Sequence, residues 1–161
     1  MSRTPIVLIL RTRHFVFTAV WLAVGCLIGC SNTADPANAL AQANSTNVQR
    51  LSNLYFEYQS EHNWRGPADE AAFKKYLHAY DPARLSRIGI EPNNLDGLFL
   101  SERDGQPFKI RYNILGGSRG STEPVIFETT GENGQRLVGF ISMPPREVDV
   151  AEYDRLLAGG K

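Results

Sequence analysis

An apolar run near the N-terminus, Phe15 to Cys30 (FVFTAVWLAVGCLIGC), constrains this chain more than any other stretch. Phe15 to Gly29 is apolar apart from Thr18. Arg11, Arg13 and His14 stand directly before it, with Arg3 further out. A basic flank, an apolar run of about fifteen residues and small residues at its end have the form of a secretory signal peptide. The run is short for a spanning helix, which needs about twenty apolar residues to cross about 30 Å of hydrocarbon. Extending it back through Ile6 to Leu10 would place Arg11 and Arg13 in lipid, which is costly. Residues 1–29 are therefore expected to be a signal peptide, with the folding part of the chain beyond it.

The end of the run is more specific. Leu27-Ile28-Gly29-Cys30 resembles the lipobox of bacterial lipoproteins, in which the cysteine is acylated and becomes the new N-terminus after cleavage. The resemblance covers about thirty residues and implies Cys30 as the lipidation site, with Leu27, Ile28 and Gly29 as the recognition residues. Cys26, preceded by Ala23-Val24-Gly25, is a second candidate, but it truncates the apolar run to about eleven residues. A signal anchor with two incidental cysteines is the bland alternative. Several acyl chains, at about 0.8 kcal/mol per buried methylene, hold a protein on a membrane almost permanently, whereas a single chain does not. Ser31 rather than Asp follows Cys30, and lipoproteins with Ser there resemble those sorted to an outer membrane. The resemblance thus implies a bacterial cell-envelope protein, anchored by lipid and facing the periplasm.

Cleavage before Cys30 leaves about 130 residues, enough for one domain to bury a core without metal or disulfide staples. It also removes Arg3, Arg11 and Arg13 but no acid, so a formally neutral chain becomes mildly acidic. A mildly acidic domain has no electrostatic footprint for nucleic acid. Beyond Cys30 there is no cysteine, hence no disulfide and no thiolate chemistry in the folded part.

Residues 30–46 are rich in Asn, Ala, Ser and Thr and read as a tether, with Asp35-Pro36 as a possible helix start. Residues 47–161 read as a single α+β domain. Val48, Leu51, Leu54, Tyr55, Tyr58 and His62 recur at helical steps, with Asn47 or Ser45 as the cap. Gln49, Arg50, Asn53, Glu57, Gln59 and Ser60 form the opposite, polar face. Pro67 or Asp69 opens a second helix whose apolar face is Phe73, Tyr76, Leu77 and Tyr80. Asp81-Pro82 caps a short helical turn over 83–88 that Gly89 closes, and residues 90–96 are expected to be loop. The remainder has period two. Strands are expected over 98–101, 107–114, 125–130 and 135–142, about four in all, in a sheet with one wet face. Asn133-Gly134 marks a hairpin between the last two. Met143-Pro144-Pro145 is expected to stop the sheet. Asp149 then caps a short C-terminal helix, with Glu152 as capping-box partner and Val148 stapled to Tyr153.

No reactive constellation emerges, so we expect no catalytic residues, no metal and no cofactor. His62 has Glu57 and Glu61 nearby in sequence, but Glu61 adjoins it and faces away on a helix. A solvated helix end explains His62 better than a metal site does. His78 lies among Lys74, Lys75 and Tyr76 without a partnered acid. Ser118 and Ser121 sit in a Gly-rich loop (116–122) whose spacing resembles neither a nucleophile elbow nor a phosphate loop. Asp96, Asp104, Glu128 and Glu132 fall near turns, at spacings that match no calcium loop. Most of the aromatic residues between Tyr55 and Tyr80 fall on buried helix faces. Phe56 and Trp64 do not, and mark a possible exposed contact surface.

Two stretches together resemble the head domain of type II secretion pseudopilins, over residues 45–142. The first is a helix over Asn47 to Trp64, then Gly66-Pro67 and a second short helix, similar to that family's long helix ending in an aromatic turn before a Gly/Pro step. The second is Asp104-Gly105-Gln106-Pro107-Phe108-Lys109-Ile110-Arg111-Tyr112, similar to the family's "WGNPYxY" strand start. Ile126 to Gly134 (IFETTGENG) then resembles its following "xxSxGxDG" strand and turn. The chain departs from the family at its N-terminus, because Phe15 to Gly29 supplies neither a prepilin cleavage site nor the glutamate that follows one. A head-like domain on a lipid anchor is what the resemblance implies.

These readings converge on a membrane-anchored envelope lipoprotein that is a non-enzymatic protein-binding or structural module, its partner an unidentified envelope protein. One alternative is a lipoprotein accessory of a secretion or pilus-like machine. Another is an envelope enzyme or solute-binding protein with a site near the 116–122 loop.

Overall fold

Helix α1 (Asn47–Glu61) forms where Val48, Leu51, Leu54 and Tyr55 recur at helical spacing, and all four are buried. The computed structural model describes residues 44–115 and 122–159, which belong to one compact unit, Ala34–Lys161. The cap is Thr46 rather than Asn47 or Ser45: its hydroxyl accepts the Gln49 N–H at 3.2 Å. Asn47 is instead a strut. Its side chain donates to the carbonyls of Gly97 (3.1 Å) and Leu100 (2.9 Å), tying the helix start to a distant segment. Arg50 does the same from the expected polar face, donating to Ile88 O at 3.1 Å and pairing with Glu102 at 3.2 Å. Gln59, also expected to face solvent, is fully buried, and its amide donates to Ile114 O at 3.0 Å. Hydrogen-bonding to a chain that returns from far away makes its burial tolerable.

Three short helices complete the helical layer: α2 (Glu70–His78), α3 (Pro82–Arg87) and α4 (Leu95–Leu98). Asp69 and Asp81 cap the first two as expected, each accepting a backbone N–H of the first turn at 2.8 and 2.9 Å. Gly89, at φ 77°, closes α3 in the left-handed region that glycine adopts without strain. The stretch expected to be loop and then strand corrects to α4, capped by Asn94, whose side chain accepts from Gly97 N at 3.2 Å. Leu95 and Leu98 lie three apart and both reach the core, so burial favours a helical turn there over an extended segment.

Four antiparallel strands follow in the order β1 (Lys109–Ile110), β2 (Pro124–Phe127), β3 (Arg136–Phe140) and β4 (Met143–Val148). β1 is much shorter than the expected 107–114. Its continuation is drawn away to residues 65–67, where Asn113 N donates to Pro67 O (2.7 Å) and Gly66 N to Ile114 O (2.8 Å). The expected strand 98–101 contributes only an isolated bridge between Leu100 and Pro107. Asn133 and Gly134 take left-handed angles (φ 51° and 77°) in the β2–β3 connection, as Asn-Gly predicts. Met143-Pro144-Pro145 does not stop the sheet but opens its last strand. β4 is an edge strand, and its register against β3 shifts at these residues, between Val138↔Arg146 and Phe140↔Met143. An edge strand with a bulge tolerates two residues that lack N–H donors.

The sheet is covered on both faces rather than wet on one. Val125, Ile126 and Ile141 pack toward α1 and the helical layer, together with Tyr55, Phe73 and Phe108, with Ile110 half-buried against them. On the other face Phe127, Val138, Phe140 and Val148 meet Tyr153 and Leu156 of α5 (Val150–Leu157). Asp149 caps α5 by accepting Glu152 N at 2.8 Å, and Val148 shares a cluster with Tyr153, as the staple requires. Gly139 lets α1 lie close on β3: a Cβ there would stand 2.2 Å from Ser52 Oγ. The result is an α+β fold with the sheet between α1 and α5.

Candidate functional site: the tyrosine face of α1 and α2

The outer side of the helical layer carries a run of rings set by helical spacing. Tyr58 and His62 lie one turn apart on α1 and its C-cap, and Tyr76 and Tyr80 one turn apart on α2 and just beyond it. The His62 ring stacks on Tyr58 with centroids 3.9 Å apart and planes 6° from parallel. Tyr76 stands edge-on to Tyr58 at 4.9 Å, and Tyr80 edge-on to Tyr76 at 5.0 Å. Arg84 of α3 extends the run, its guanidinium 4.8 Å from the Tyr80 ring centre. All three tyrosines are half-buried: their rings seal the helical layer and their edges remain open.

Two carboxylates of α1 fix the polar rim. Glu61 accepts the Tyr76 hydroxyl at 3.0 Å, and the Tyr76 and Tyr80 hydroxyls share a hydrogen bond of 2.8 Å. Glu57 forms a close ion pair with Arg84. Burial, the hydrogen bonds with Tyr80 and Glu61, and the repulsion of a nearby carboxylate keep the Tyr76 phenol protonated well above its ordinary range. Burial likewise pushes Tyr80 up to about 12. These hydroxyls therefore stay neutral donors at any physiological pH. The face presents aromatic rings, and the hydroxyl protons of Tyr76 and Tyr80 are committed to Glu61 and to each other.

The candidate metal ligands do not converge. Glu57 turns to Arg84 and Glu61 to Tyr76, while His62 Nδ1 lies 2.7 Å from its own helix's Tyr58 carbonyl. His78 is exposed at the end of α2. Among the acids near turns, Asp96 pairs with Lys74 at 2.6 Å, which lowers the Asp96 pKa. Asp104 accepts from Gln106, Thr130 and Gly131 N–H groups at 2.9, 3.0 and 2.7 Å. Glu128, fully buried, accepts from Ser101 Oγ at 2.6 Å and Leu137 N at 2.8 Å. Arg103 lies among Glu128, Glu132 and Glu147, at 3.7, 3.6 and 2.6 Å. Donors surround these carboxylates where a calcium site would need them turned to one cation. Among the described residues no group of three His, Cys, Asp or Glu is placed to hold a metal ion.

Trp64 is 38% exposed and leans on Phe56, ring centroids 6.1 Å apart, so this pair is a partly open apolar corner, as its failure to fit the buried stripe suggested. Asn63 and Trp64 both take left-handed angles (φ 54° and 61°), because the Trp64 N–H returns to Gln59 O at 2.8 Å to end the helix. Leu27, Ile28, Gly29 and Cys30 lie outside the described residues, as do residues 116–121 of the Gly-rich loop. The cross-helix pairs Glu57–Arg84 and Glu61–Tyr76 escaped the sequence reading. The only local signal for them is the four-residue spacing of Tyr58/His62 and Tyr76/Tyr80, which by periodicity places the tyrosines in the core and His62 at a solvated helix end. Comparison of the chain with protein-family models, with curated proteins and with solved structures finds no match.

Proposed function

We propose that this chain is a non-enzymatic lipoprotein of the bacterial cell envelope that contacts another protein through the tyrosine face of α1 and α2. The observation that carries this reading is the half-buried pair Tyr76 and Tyr80, whose hydroxyls are held by Glu61 and by each other beside the Tyr58 ring. Rigid aromatic groups with an apolar body and a fixed polar tip bind with little loss of side-chain freedom, and they are enriched at protein interfaces. A pull-down from detergent-solubilised membranes tests it. Tyr76→Ala with Tyr80→Ala should lose partners that the unaltered chain retains, compared at a temperature where both chains are folded, since removing two half-buried rings lowers the thermal midpoint. Equal recovery by both chains sinks the reading.

The anchor belongs to the same proposal. Leu27-Ile28-Gly29-Cys30 after a signal-like run supports acylation of Cys30 and an outer-membrane address facing the periplasm. Mass spectrometry of the mature N-terminus should find an acylated Cys30, and Cys30→Ala should release the protein from the membrane fraction. An underivatised Cys30 defeats this part alone. The resemblance of residues 45–142 to pseudopilin heads favours a second reading, an accessory of a secretion or pilus-like machine. In that case the same pull-down recovers secretion components.

A further inference from the structure

A separate opening lies beside this face, between α1 and α3: a cleft of about 380 Å³ with Leu54 and Ile88 as its apolar lining. Asn44 and Asn53 line it too, joined by a 3.1 Å hydrogen bond from Asn53 Nδ2 to Asn44 Oδ1. Its charged groups are Glu57, Arg84 and Arg87. Glu57 and Arg84 neutralise each other in their ion pair. Arg87 has no carboxylate partner among the described residues. Its Nε makes a long 3.3 Å bond to Ala83 O of its own helix, and no other hydrogen bond engages it there. The cleft therefore combines an apolar floor with one uncompensated guanidinium.

We propose that this cleft binds the C-terminal carboxylate of a partner chain whose last side chain is apolar, Arg87 holding the carboxylate while the partly exposed Ile88, above the buried Leu54, receives the side chain. A guanidinium presents paired N–H donors that match the two oxygens of a carboxylate, and capture of a chain terminus is a recurrent mode of peptide recognition. The volume lies at the small end of ligand sites, which start at about 300 Å³, and suits one or two terminal residues. An acyl chain fits less well, because its methylenes would lie along Asn44, Asn53 and Glu57 and desolvate them. The inference rests on the protein-contact reading, since the carboxylate is a partner's own.

Fluorescence anisotropy on the full chain in detergent tests it, with fluorescein-labelled pentapeptides ending in Leu, Val or Phe. Each is prepared as the free acid and as the C-terminal amide, and decanoate serves as competitor. At least one free acid should bind saturably, its amide about tenfold or more weaker, as loss of a charge-assisted bond implies. Arg87→Gln should bring acid binding down to the amide's level without moving the thermal midpoint. No saturable binding by any acid, equal binding of acid and amide, or an unaffected Arg87→Gln chain overturns the proposal. Displacement by decanoate at lower concentration than by the unlabelled peptide also overturns it, and gives the cleft to acyl carboxylates. If the peptides fail while capture still depends on Tyr76 and Tyr80, only the cleft inference falls. If the peptides bind while capture ignores those tyrosines, the tyrosine face falls and the cleft stands.

Discussion

Replacing Glu128 with alanine should cost about 3–5 kcal/mol of folding free energy, the loss expected when two hydrogen bonds to a buried carboxylate are removed. The carboxylate is fully buried at the end of β2, where one oxygen takes the Leu137 N–H at 2.8 Å and the other the Ser101 hydroxyl at 2.6 Å. Each bond to a charged group is worth about 1.5–3 kcal/mol, and deleting the acceptor leaves both donors without it in the interior. Arg103 adds little to this sum, because its Nε lies 3.7 Å away and it keeps Glu147 at 2.6 Å. Glu128→Gln retains the shape and one acceptor oxygen, so about 1.5–3 kcal/mol is expected. Its new amide cannot accept from both donors, and Ser101 Oγ already receives Arg103 N at 3.1 Å. Urea unfolding of residues 34–161, followed through Trp64, gives both numbers. A double-mutant cycle of Ser101→Ala with Glu128→Gln should show a coupling of about 0.5–3 kcal/mol. A loss below about 1 kcal/mol for Glu128→Ala, or strictly additive changes in the cycle, would refute the claim that this carboxylate holds the 101–104 turn to the sheet.

Three further outcomes follow from the packing. Phe108→Ala should cost about 3–5 kcal/mol by urea unfolding, because the ring fills the core beside Tyr55 and Phe73; a loss under about 1 kcal/mol would make it peripheral. Gly139→Ala should cost about 1–3 kcal/mol by overpacking, since its Cβ would stand 2.2 Å from Ser52 Oγ and 2.8 Å from Val48 Cγ1. Adding Ser52→Ala should recover part of that loss, and no recovery would place the clash elsewhere. Burial raises the Tyr55 pKa to about 12, above its unfolded value near 10, so its contribution is complete below pH 10 and is lost as pH climbs toward 12. Tyr55→Phe should flatten the alkaline decline in thermal midpoint over that window, and an unchanged slope contradicts the assignment.

Local chemistry explains what was legible in the sequence. Asp69, Asp81 and Asp149 start helices because a short acidic side chain satisfies N–H groups two or three residues ahead, a relation contained in the local sequence. Asn133-Gly134 turns for an equally local reason, and the apolar spacing of Val48 to Tyr55 identifies a buried helix face without reference to the rest of the chain. The α+β class follows from these. What the tertiary structure alone decided depends on pairs far apart in sequence. Glu128 is a buried acceptor rather than a turn acid because Ser101 is carried to it across 27 residues. Gln59 is interior because Ile114 O returns to meet it across 55 residues. Pro144 and Pro145 sit in a strand because β4 is an edge, with one side free of the donors that proline lacks. Tyr76 reads as core by its spacing, yet its hydroxyl reaches the open rim because Glu61 of the neighbouring helix stands 3.0 Å from it. Periodicity specifies which way a side chain faces on its own element; what it meets there depends on how the elements pack.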